Sequence, residues 1–357
     1  MKNPILFTAF FLICSHASFS QSIALNRAVK FYESNNIGFA EKEIRKALKT
    51  PVRSEKELAR TMNYFFLIMK EVYATEEALA DNLSKLSDIG KAYVKCKKVD
   101  KDSTYAPNLT LEMQSLGNTL LQQSNIKFEQ EAYFKYLLMM DYYVQLMDKI
   151  NVDCGAQYAK MAEASIEVHQ HDRAMGYWVK MIESGYNTIK GYEMLVPFFY
   201  AHKELDIVDS LIVVADDEIG QDNLVIGIIE VNRLIEKDLI FKASKKSKQL
   251  LKVFPSNIEL LYLFGSTRLK MKYDNEGLNA LLEVTYLDET HFDARLDLAR
   301  YYLEAEGDKV NLVLAKNYIN QSIKLKPLDL ELRRLIKEFS HKSNSNSVSS
   351  GALVMGR

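Results

Sequence analysis

The chain has 357 residues and a formal net charge of −1, with only 6 Pro and 14 Gly. That charge excludes a protein drawn to nucleic acid or anionic lipid by its overall field, because such binding rests on phosphate neutralisation. Long breaker-free stretches rich in Leu, Lys, Glu, Ala and Tyr predict helix stacked on helix, a build that reaches this length without one large core.

The first twenty residues read as a targeting segment. Lys2 supplies a positive start, Ile5 to Ile13 an apolar run, and Ser15 to Ser20 small residues suited to cleavage before Gln21. The apolar run is about ten residues, too short for a helix across a ~30 Å bilayer core. A signal peptide over 1–20 is therefore expected, cut near Ser20-Gln21, with the mature chain exported to the periplasm or secreted. Cys14 follows Ile13, where a lipid-attachment box requires a small residue, which argues against a lipid anchor. No later segment is apolar enough to span a membrane. The mature chain keeps Cys96 and Cys154, which export would allow to pair and which otherwise fit as small buried hydrophobes.

Residues 21–154 predict helical hairpins of irregular spacing. Ala28 and Phe31, then Ala40, Ile44 and Ala47 closed by Pro51, mark the first. Residues 52–108 read as two longer helices, about Ser54 to Val72 and Glu76 to Lys98. Leu116, Gly117 and Leu120 with Ala132, Tyr136 and Met139 mark a looser hairpin. The run from Tyr136 to Met147 is apolar around the whole helix and predicts burial on both sides.

Residues 155–327 carry a regular period. Ala162, Val196, Val231, Gly265 and Ala299 stand 34, 35, 34 and 34 residues apart. Ala174, Val208, Ala243 and Gly277 each follow by 12 residues, and Ala315 by 16, which places a four-residue insertion around Glu304 to Asp308. Small residues at such spacing let two antiparallel helices cross closely. Trp178 and Met181, Ile212 and Ala215, Ser247 and Leu250, Leu281 and Val284, and Ile319 and Ser322 fall on the same helical faces, where they pack each second helix onto the next hairpin. Pro255, Pro327 and Gly220 end second helices. A capping helix is expected over 328–340 and a disordered, Ser- and Asn-rich tail over 341–357.

These features resemble the tetratricopeptide repeat family. Phe264-Gly265 with Gly277 and Leu281, and Leu298-Ala299 and Tyr302 with Ala315, Ile319 and Pro327, match its pattern most fully. The resemblance implies an all-α, right-handed α-solenoid of antiparallel helix hairpins with a C-terminal capping helix. It also implies a groove lined by the first helix of each hairpin and filled by a peptide or partner protein. On that face fall Gln114, Asn118, Glu163, Glu193, Tyr200, Asn232, Tyr262 and Arg300, along with apolar Ile228, Leu296 and Leu269. The face lacks the grouped Lys and Asn with which chaperone-binding members grip a peptide carboxylate. The expected role is an exported interaction scaffold; the alternative is a helical accessory or glycan-binding protein of an envelope system.

Chemistry-bearing clusters add little. His169 and His171 are two apart in a hairpin turn, so on a helix they would face different ways and hold a metal poorly. Asp216, Asp217, Glu218 and Asp222 are consecutive or nearly so, not alternating about a sharp turn as a calcium loop requires. Lys95 to Lys101 and Lys242 to Lys248 read as solvated helix faces. The sequence has no GxSxG, phosphate-cradling glycine loop, HExxH or CxxC. No enzymatic activity, cofactor or metal is expected.

Overall fold

A computed structural model describes residues 23–52, 54–73, 82–304 and 311–354, with side chains as far as Asn344. The expected leader, residues 74–81 and most of the expected four-residue insertion lie outside the described residues.

All regular structure among the described residues is helical. The chain divides into two compact units, Met1–Gly191 and Tyr192–Arg357. Unit one holds α1 (residues 23–33), α2 (Ile37–Lys49), α3 (Glu55–Tyr73), α4 (Leu83–Val99), α5 (Ala106–Glu129), α6 (Tyr133–Asp148), α7 (Gly155–Glu167) and α8 (His171–Glu183). The division falls inside α9 (Thr188–Ala201). Unit two continues with α10 (Leu205–Ile219), α11 (Leu224–Glu236), α12 (Ile240–Val253), α13 (Ile258–Lys270), α14 (Asp274–Leu287), α15 (Phe292–Glu304), α16 (Leu312–Leu325) and α17 (Leu330–Val354). This division into compact units is separate from the expected change from irregular to regular repeats after residue 154. Repeat phase reports hairpin spacing and carries no signal for such a division.

In unit one α3 packs on α4, α5 on α6 and α7 on α8 as hairpins. Of the two long helices expected over 52–108, the first is α3 and the second, among the described residues, is α4. Helix α6 packs on α4, α5 and α7 together. That is why Tyr136, Leu137, Met140, Tyr143, Leu146 and Met147 are all buried, as the all-round apolar run predicts.

In unit two α11 pairs with α12, α13 with α14, and α15 with α16. First helices also meet first helices: α11 touches α13, α13 touches α15, and α15 touches α17. The periodic small positions are the crossing points. Val231, Ala243, Ala299 and Ala315 are fully buried. At the α13–α14 crossing, a Cβ on Gly265 would lie 3.1 Å from the Gly277 carbonyl oxygen, and one on Gly277 3.0 Å from that of Gly265. Backbone meets backbone there, so only glycine fits both sides.

Two further series keep the same period. The first helices α11, α13 and α15 start at caps 34 residues apart: Asn223, Asn257 and His291 accept the N–H of Ile226, Leu260 and Ala294 at 3.1, 3.0 and 3.2 Å. Asp329 caps α17 in the same way, 2.9 Å from the Leu332 nitrogen. Inside the hairpins, His169, Lys203, Asp238 and Lys272 take φ of 58°, 62°, 56° and 61°. Each closes a Schellman turn; for example Asp238 N–H donates to Ile235 O at 2.9 Å and Leu239 N–H to Leu234 O at 2.8 Å.

The C-terminus corrects one expectation. The last helix does not stop at Ser340 but runs to Val354, through the stretch whose composition suggested disorder. No proline interrupts residues 341–354, and Ser and Asn cost a helix only a few tenths of a kcal/mol each relative to average residues.

Candidate functional site

The first helices of unit two present a polar cleft. Ser266, Leu269, Lys270 and Lys272 from the α13 side and Asp297, Arg300, Tyr301 and Glu304 from α15 enclose about 340 Å³. A second cleft of about 230 Å³ between α15 and α17 shares Arg300 and Glu304 and adds Glu331, Arg334, Leu335 and Glu338. Arg300 is the hinge of the pair, 2.7 Å from Asp297 and 3.6 Å from Glu331.

Asp297 is the least exposed acid in the cleft. Burial raises its carboxyl above the ordinary range, against the pull of Arg300, hydrogen bonding from Ser266 and the charge of Lys270. Tyr262 lies within the same field: burial pushes its hydroxyl up, and Asp297, Asp293 and Glu259 add to the shift while Arg300 opposes it. Its ring packs on His291 with centroids 4.9 Å apart. The cleft thus offers a half-sequestered carboxylate, the Tyr301 ring and flanking cations. It suits a chain of mixed charge with amide and basic donors.

Of the groove residues expected from sequence, Arg300 lines the cleft, and Tyr262 is half-buried against the hydrophobic core beside it. Asn232 is half-buried on α11. Tyr200 donates to Glu236 at 2.9 Å; Glu236 pairs with Arg233, whose Nε and Nη2 bind Asp209 at 3.1 and 3.0 Å. Its hydroxyl is therefore part of a structural network. Glu193 accepts from Asn223 at 3.1 Å. In unit one Gln114, Asn118 and Glu163 are exposed, the first two one turn apart on α5. Leu296 corrects the expected register: it is buried with Phe292 and Ala299, so on α15 the open face is Asp297, Arg300, Tyr301 and Glu304. Asp297 was missed because, by spacing alone, the apolar Leu296 beside it occupied the groove position.

The remaining clusters are occupied. Asp216 faces Lys246 at 3.6 Å, Glu218 accepts from Tyr192 at 3.0 Å and Asp222 from Gln249 at 3.2 Å, so these acids serve separate partners. In the basic run, Lys248 pairs with Glu276 at 3.3 Å. Cys96 and Cys154 are free and buried, donating to the carbonyls of Ala59 and Val152 at 3.4 and 3.5 Å.

Hairpins of this length, with small residues at the crossings and first helices stacked on one another, define a helix-hairpin repeat protein similar to the tetratricopeptide repeat class. No family model and no curated protein matches the sequence. Solved structures similar to it include the C-terminal part of a TPR repeat-containing protein from Cytophaga hutchinsonii, 10% identical with a TM-score of 0.47, covering 74% of this chain and 98% of that one. Yeast Tom70 is 14% identical with a TM-score of 0.42, covering 94% of this chain and 92% of its own. MamA from Desulfovibrio magneticus RS-1, from residue 41, is 11% identical with a TM-score of 0.42, covering 49% of this chain and 97% of its own.

Proposed function

We propose that the protein is an exported, non-enzymatic scaffold that holds a peptide segment of a partner protein against the first helices of its C-terminal unit. The observation that carries this reading is the pair of clefts joined at Arg300, in which Asp297 and Tyr301 stand beside alternating charges along α13, α15 and α17. An extended or helical segment of mixed charge matches that row in length and chemistry. Export rests on residues 1–20 and places the partner in the cell envelope or outside it.

The reading is tested by photocrosslinking of the full chain in its native cell. A crosslinker at Tyr301 is expected to trap a discrete protein, and Arg300→Glu to abolish the product. The same label at Tyr286, 84% exposed on α14, serves as the control. Equal products from both positions, or none from Tyr301, would overturn the assignment.

A further inference from the structure

A third cleft in unit two carries chemistry that groove binding does not use. It encloses about 480 Å³ between the second helices α14 and α16, with α15 at its base, and is lined by Thr285, Glu289, Arg295, Tyr318, Gln321 and Lys324. Arg295 is the unusual member. One repeat earlier the same position holds Leu261, a buried core residue, and two repeats earlier it holds Gly227. Arg295 is itself only 7% exposed, a charged side chain where the preceding repeat has a buried leucine.

Its guanidinium is only partly satisfied. Nε donates to Gln321 Oε1 at 3.0 Å, and Nη1 makes two long contacts of 3.4 Å with the carbonyls of Asp288 and His291. All three acceptors are neutral, and among the described residues no carboxylate lies within ion-pair distance. Those bonds use three of five N–H groups and leave both hydrogens of Nη2 without a protein acceptor among the described residues. Because Gln321 turns its oxygen to Arg295, its NH2 points away from that contact. The Tyr318 hydroxyl is close enough for Arg295 to lower its pKa, against the burial that raises it. Lys324 adds a second cation at the rim; Glu289 stands there too, and the Asp288 carboxylate is near enough for Arg295 to hold its pKa down.

A buried, incompletely paired guanidinium beside a phenol, an amide and an ammonium is a donor set for an oxyanion. We infer that this cleft binds an oxyanion, a phosphate or carboxylate group, held by Nη2 of Arg295 with Gln321, Tyr318 and Lys324 around it. Helix-capping alone would account for the Nη1 contact to Asp288 at the end of α14 but gives no use for Nη2.

The test uses the full chain titrated separately with inorganic phosphate and with succinate, at constant ionic strength, read by melting temperature and calorimetry. A saturable rise with either ligand is expected for the wild type, and which one saturates identifies the source of the oxyanion. Arg295→Leu, which restores the residue of the preceding repeat, removes the response. Gln321→Glu gives Arg295 an internal carboxylate and also removes it, and this second variant keeps the test valid if the first folds poorly. Arg295→Lys keeps the charge without the two parallel donors and weakens binding about tenfold. No saturable response in the wild type, or the same response in Gln321→Glu, as phosphate's general exclusion from protein surface would give, overturns the assignment.

Discussion

Lys272 shows how single residues carry the repeat. Its φ of 61° closes the α13–α14 turn, a backbone conformation that costs a non-glycine residue about 1–2 kcal/mol. The turn must be left-handed because the Schellman bonds from Lys272 N–H and Tyr273 N–H fix it. Lys272→Gly should therefore raise stability by about 0.5–1 kcal/mol, and Lys272→Val should lower it by about as much, in urea titrations. A glycine variant no more stable than the wild type would show that the turn is unstrained. Asp100 makes the opposite case, of a residue that stabilises. Its buried carboxylate accepts the N–H of Thr104, Tyr105 and Ala106 at 3.1, 2.8 and 2.8 Å, tying the end of α4 to the start of α5. Burial alone would raise its pKa, but the three donors outweigh it and hold the group below its usual 3.8. A depressed carboxyl stabilises above the unfolded value and loses that contribution as pH falls through the folded one. Asp100→Ala should cost about 2 kcal/mol at pH 7, and the gap to wild type should narrow below about pH 4. A gap independent of pH would remove the ionised carboxylate from the account.

Between elements, stability turns on which crossings can yield. Gly277 and Gly265 approach through their carbonyl oxygens, which cannot move without moving the helices. At Gly117, by contrast, an added Cβ runs into the end of the Met147 side chain, a flexible group that can rotate aside. Alanine improves helix propensity by about 1 kcal/mol at either site. Gly277→Ala should nonetheless destabilise by about 1–3 kcal/mol, while Gly117→Ala should be near neutral. Thermal melts of the two variants separate the cases; equal losses would mean that crossing distance is not the governing quantity. The same contrast explains what the sequence could show. Small residues 34 apart mark crossings because volume is written in residue type. The cap series at Asn223, Asn257 and His291 went unread, because His rarely stands for Asn and only the observed Nδ1 contact reveals the equivalence. Arg295 could not be recognised either, since its neutral partners come from α14, its own helix start and α16, brought together only by folding.

For the whole chain, helical class, hairpin phase and the α6 burial pattern were legible, and the division at Gly191 and the length of α17 were not. Of the candidate cleft, Arg300 stood among the residues named from sequence, while Asp297 and the one-residue shift past Leu296 depend on how α15 is rotated against α13. The cysteines give a test that spans the molecule and the proposed leader together. The sequence has 3 Cys, and cleavage before Gln21 would remove Cys14. Burial pushes the thiols of Cys96 and Cys154 up to about 11, with nearby Asp100 acting on the first and Asp153 and Asp148 on the second. A raised thiol pKa contributes stability that is whole below the ordinary value of 9.0 and is lost as pH climbs through 11. At pH 8 both should stay protonated and shielded, and so unreactive even in an oxidising compartment. A thiol reagent should therefore find none in the native mature protein and two after denaturation without reductant. Three would mean that the leader is retained, and none would mean that the two thiols have paired during export.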